Sequence, residues 1–89
     1  SDLFRATEEY NIGNYKGNTY GKCMLFIWNG YGPVVMIKGD NKIVFVNYKE
    51  DGAALKLYEQ LSGAGTIWLL GSHLEVSTKL HMCWKTRRI

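Results

Sequence analysis

Three apolar runs between Thr19 and Tyr48, separated from one another by turn formers, commit the middle of this chain to a β-sheet. The first, Thr19 to Trp28, is dense in aromatic and β-branched residues and is apolar on both faces after Lys22, the pattern of a central strand. Asn29-Gly30-Tyr31-Gly32-Pro33 then interrupts it, because Asn-Gly tolerates positive φ and Pro33 has no amide hydrogen to continue a ladder. The second and third runs, Val34 to Lys38 and Lys42 to Tyr48, flank Gly39-Asp40-Asn41 and form the clearest hairpin in the sequence. In the latter, Ile43 and Phe45 fall on one face and Val44, Val46 and Tyr48 on the other, so both faces are expected to meet apolar neighbours.

One helix is expected, from about residue 51 to 62. Asp51 is placed to cap its first turn and Gly63 to end it in a left-handed conformation. Ala54, Leu57, Tyr58 and Leu61 recur at helical spacing as a single apolar stripe, opposed by Lys56, Glu59 and Gln60, and that stripe suits packing on the sheet. Residues 1 to 18 mix charge, aromatic residues and the turn formers Asn11, Gly13, Asn14, Gly17 and Asn18, which predicts short strands or an irregular lead-in. Beyond Ser62-Gly63-Ala64-Gly65, apolar residues return on even positions at Trp68, Leu70, Leu74, Val76, Leu80, Met82 and Trp84. That alternation predicts a C-terminal ribbon of two strands, or one long bent strand. The expected fold is therefore α+β: a mainly antiparallel sheet or partly open barrel with one packed helix, followed by the ribbon, in a single domain over residues 1–89.

With 89 residues and 46% hydrophobic side chains, the chain has enough apolar matter for one core and no room for a second domain. A core this small buries only roughly 60 to 65% of the unfolded surface, so dimerisation would add useful stability and self-association stays open. A net charge of +3 tilts the chain towards acidic partners, although small domains often carry such a charge for solubility alone. No run of about 18 apolar residues marks a membrane span, and the first residues lack the layout of a signal peptide. The chain is thus expected to be soluble as it stands; lacking an initial Met, it fits a processed product or an excised domain. Cys23 and Cys83 fit one disulfide or two buried thiols, and so low a cysteine density favours thiols.

No set of residues carries a recognisable reaction. His81 and Cys83 share a strand face, but no third group orients them, and His73, His81 and Cys83 lack the close paired spacings of a zinc site. Glu8-Glu9 lies in the lead-in, and Glu50-Asp51 is accounted for by the helix cap. Neither Gly30-Tyr31-Gly32-Pro33 nor Gly63-Ala64-Gly65 precedes a helix as a phosphate loop would. No catalytic residue, metal or cofactor is assigned. The best surface for an anionic partner is Lys79, Trp84, Lys85, Arg87 and Arg88, where cations beside an aromatic ring suit phosphates and stacked bases. Against this, Trp84 completes the apolar alternation and suits the core, and the cations suit a solvated sheet edge.

Arg5, Gly13-Asn14-Tyr15-Lys16-Gly17, Tyr20-Gly21-Lys22 leading an apolar strand, the hairpin from Val34 to Val46, and the helix ending in Leu57-Tyr58-Glu59-Gln60-Leu61 together resemble the later part of bacterial domains with a pleckstrin-homology-like fold. The resemblance covers roughly two thirds of the chain. It implies a non-enzymatic module, often joined to membrane segments and so membrane-proximal. It transfers no functional residue. That fold ends on its helix, whereas here strand-like sequence follows. The functional expectation is a non-catalytic binding or scaffolding module acting on a protein partner or on itself, with single-stranded nucleic-acid binding through the basic C-terminal end as the alternative.

Overall fold

A computed structural model of the chain describes residues 4–17, 20–63 and 66–71. Six strands and one helix follow in the order β1 (Arg5–Ala6), β2 (Tyr10–Gly17), β3 (Gly21–Trp28), β4 (Val34–Lys38), β5 (Ile43–Val46), α1 (Ala53–Leu61) and β6 (Thr66–Leu70). They form one sheet in the order β1-β2-β3-β5-β4-β6. All neighbours are antiparallel except β3 and β5, which run parallel because β5 folds back from the β4 hairpin into the space between β3 and β4. This is the α+β architecture the sequence predicts, with an open sheet.

The hairpin forms where the turn residues place it. Ile43 pairs with Lys38 and Val46 with Val35, and the Gly39 amide closes the turn on the Lys42 carbonyl at 2.9 Å. The lead-in is more regular than expected: β2 is an eight-residue strand paired with β3 along its full length, from Tyr10 opposite Trp28 to Gly17 opposite Gly21. Its glycines and asparagines are tolerated because a long apolar partner supplies the ladder, and Gly13 takes a φ of 115° that few other residues could adopt.

Strand parity divides the sheet into two faces. The inner face carries the main core, in which Cys23, Leu25, Ile27, Val34, Met36, Ile43, Phe45 and Leu70 are buried and Phe4, Tyr15 and Tyr20 pack against them. Tyr20 meets Phe45 ring to ring at 5.8 Å, and Phe4 meets Tyr15 at 5.1 Å. Removing a fully buried side chain such as Phe45 would cost about 3 to 5 kcal/mol. Val35 points to the outer face and is nevertheless 0% exposed, outside the main core cluster. The helix packs on β4 and β6 and buries Ala54, so it covers Val35 on that side.

The helix follows the predicted stripe, with Ala54 buried and Leu57, Tyr58 and Leu61 half-buried, but its start differs from expectation. The N-cap is Gly52 at φ 81°, with no side-chain cap, so Asp51 does not fill the capping role. A cap residue in a left-handed conformation selects glycine, and the chain turns sharply there after Glu50 and Asp51. Gly63 does take a left-handed φ of 92° just past the helix end, where the Ser62 amide bonds the Tyr58 carbonyl. β6 then returns to the edge beside β4, with Trp68 opposite Met36 and Leu70 opposite Val34. The even positions of its alternation therefore face the core side. The remainder of the expected ribbon lies outside the described residues.

Candidate binding face

Among the described residues the helix covers only the β4 and β6 half of the outer face, and none of them lies over the other half. On that half the pairing registers arrange side chains in rows that cross adjacent strands. Tyr10 and Trp28 form one row, Ile12, Phe26 and Val46 the next, then Asn14, Met24 and Val44. The last row is basic: Lys16 stands directly opposite Lys22, and extending the β3–β5 register by one residue brings Lys42 beside Lys22. Successive rows are about 7 Å apart along the strands.

The aromatic end is exposed yet tightly positioned. Ile12 is 40% exposed, Phe26 41% and Tyr48 37%, although all three sit on or beside the central strands of the sheet. With Arg5, Tyr10, Trp28 and Val46 they line a groove of about 560 Å³. The Tyr10 and Trp28 rings meet edge to face at 5.7 Å and 83°, and the Lys49 ammonium lies 4.3 Å from the Trp28 ring centre.

Behind the groove, Asn47 is 1% exposed and clamps the end of β3 to the following loop. Its Oδ1 accepts from the Trp28 amide at 2.6 Å, and its Nδ2 donates to the carbonyls of Trp28 and Tyr31, both at 2.8 Å. Asn29 ties the same corner to the β1–β2 turn, donating to the carbonyls of Thr7 at 3.0 Å and Glu8 at 3.1 Å. Asn11 Nδ2 donates to Asn29 Oδ1 at 2.7 Å, while Asn11 Oδ1 is buried with no partner among the described residues. The turn itself is held by Thr7 Oγ1, which accepts from the amides of Glu9 and Tyr10. The aromatic platform thus rests on a polar scaffold that fixes its backbone.

A second groove of about 700 Å³ opens at the basic end, lined by Asn14, Tyr15, Lys16, Lys22, Cys23, Asn41 and Lys42. Lys42 Nζ reaches Asn14 Oδ1 at 3.5 Å, which draws its charge over the outer face. Among the described residues no carboxylate lines either groove. The acidic residues Glu8, Glu9, Glu50 and Asp51 belong to the segments that enter and leave the aromatic end.

Lys79, Trp84, Lys85, Arg87 and Arg88, the anionic-partner surface expected from sequence, lie outside the described residues, as do His73, His81 and Cys83. Cys23 is a free, buried thiol, and burial pushes its pKa up, so it is a weak nucleophile. Among the described residues no group of three His, Cys, Asp or Glu side chains is placed to hold a metal ion, and no helix is long and apolar enough to cross a membrane.

The open face was hidden in the sequence by its own composition. Phe26, Trp28, Val46 and Tyr48 read as the second buried side of central strands, and half of that side proves to be accessible. Its counterpart on β2 was obscured because the lead-in was not expected to run as one strand. The usable signal was parity: Lys22, Met24, Phe26 and Trp28 share one face, which a lysine opens to solvent. Comparison of the chain with protein-family models, curated proteins and solved structures finds no match.

Proposed function

We propose that the chain is a non-catalytic binding module that works through the open half of its outer sheet face. The observation that carries this reading is the exposed groove bounded by Ile12, Phe26, Trp28 and Tyr48, set on central strands and backed by a fixed hydrogen-bonded scaffold. Large apolar side chains left accessible as one contiguous patch are what a binding site needs and what an inert surface avoids. The resemblance to bacterial pleckstrin-homology-like domains supports the same non-enzymatic reading.

The test uses 8-anilinonaphthalene-1-sulfonate, an aromatic anion suited to an apolar groove with cations around it. Titrated into the folded chain, it is expected to bind saturably at one site, with energy transfer from Trp28. Ile12→Ser and Phe26→Ser are each expected to weaken it about tenfold, equivalent to about 1.4 kcal/mol. Leu55→Ser removes an equally exposed apolar side chain from the helix and should leave the affinity unchanged. Absence of saturable binding, or an equal loss in the Leu55 variant, would overturn the proposal.

A further inference from the structure

Resting on that reading of the face, we infer that its ligand is a single-stranded nucleic acid, with a base stacked at Phe26 beside the Trp28–Lys49 pair and phosphates running towards Lys16, Lys22 and Lys42. The row of lysines is the observation that points to a polyanion. Lys16 and Lys22 are direct cross-strand neighbours on one face, and Lys42 continues the row across the third strand. Like charges placed directly opposite destabilise a sheet, so the free protein bears a cost at this row that packing does not require. A phosphate bridging the ammonium groups turns that cost into an attraction, and among the described residues no carboxylate lines this groove to compete.

The same strands supply the second half of the recognition. Three rows from the lysines, about 20 Å along β3, the Trp28 ring lies beneath Lys49 and against Tyr10, and Phe26 lies one row nearer. Aromatic side chains beside a line of cations bind single strands of any sequence, because every base offers a π-face and every linkage a phosphate. An anionic bilayer fits less well. It would press against the whole face, including the end that Glu8, Glu9, Glu50 and Asp51 border, whereas a strand whose bases end in the groove runs away from those carboxylates.

Fluorescence anisotropy of a labelled eight-nucleotide oligo(U) against the full chain tests the inference. Binding is expected at about 20 mM salt, and log K should fall against log[salt] with a slope of about −2, the value for three phosphates neutralised on a single strand. Lys22→Gln should weaken binding and reduce the slope by about 0.7. Phe26→Ser should weaken binding with the slope unchanged, and Lys22→Arg should restore it. In the free protein Lys22→Gln should raise the melting temperature slightly, because it relieves the repulsion across the row. A variant with Lys79, Lys85, Arg87 and Arg88 all changed to Gln should keep the greater part of the affinity.

Three results would overturn the inference: no oligonucleotide binding at low salt, loss of binding only in the C-terminal variant, or binding to vesicles of phosphatidylserine in place of the oligonucleotide. If the anilinonaphthalene probe still binds in a groove-dependent way when the oligonucleotide does not, the nucleic-acid inference fails and the binding face stands.

Discussion

Asn47 shows how much of this fold hangs on single polar side chains. In sequence it reads as one more position of the strand Lys42 to Tyr48, yet the strand ends at Val46 and Asn47 turns inward to satisfy three backbone groups of the β3–β4 corner. Its own amide bonds the Phe26 carbonyl at 3.2 Å. Asn47→Ala would take their side-chain partner from the Trp28 amide and the Tyr31 carbonyl and leave the Trp28 carbonyl only the Tyr31 amide at 3.4 Å, in a partly buried corner, at a cost of about 2 to 4 kcal/mol. Thermal denaturation should show a fall of roughly 4 to 8 °C per kcal/mol in a domain of this size. A loss below about 0.5 kcal/mol would mean that the corner is held by other contacts. Nothing near Asn47 in sequence announces this role, because its partners lie up to 19 residues away. Buried apolar residues were easier to anticipate: Leu25, Val34 and Phe45 belong to runs whose composition alone demands a core.

Among the elements, legibility followed how local the determining physics is. The β4–β5 hairpin depends on a short turn with its own chemistry, and the helix on a 3.6-residue stripe, so both were placed correctly to within a few residues. Strand β2 depends on β3 for its ladder, and that dependence is invisible in a stretch rich in asparagine and glycine. The helix start separates local from nonlocal control as well. An acidic residue at the right spacing suggests a cap, but the backbone enters the helix through a left-handed Gly52. Asp51→Ala should therefore change stability by less than about 0.5 kcal/mol, well below the roughly 1 kcal/mol of a lost N-cap. Gly52→Ala meets no steric neighbour, yet its φ of 81° makes a loss of about 1 to 2 kcal/mol the expected result. Equilibrium denaturation of the two variants checks both values, and the reverse ranking would restore Asp51 as the cap.

For the whole molecule, the consequential feature is asymmetry between the two faces of one sheet. The inner face closes over Leu25, Ile27 and Phe45, while among the described residues the outer face is shielded by the helix on one half and uncovered on the other. The sequence shows that both faces are apolar. Which half goes uncovered depends on strand order, because inserting β5 between β3 and β4 moves β4 and β6 under the helix and leaves β2 and β3 outside it. Register and order are long-range properties that no local pattern encodes. The lysine row arises in the same way, since residues 16, 22 and 42 are unremarkable apart and meaningful only once three strands align them. The most direct measurement of binding at this face is an amide chemical-shift map of the chain titrated with the eight-nucleotide oligo(U). The largest shifts are expected on Ile12, Lys16, Lys22, Met24, Phe26 and Val46, in a band across β2, β3 and β5. Shifts confined to the exposed side of α1 or to residues 79–88, with that band unmoved, would contradict binding at this face.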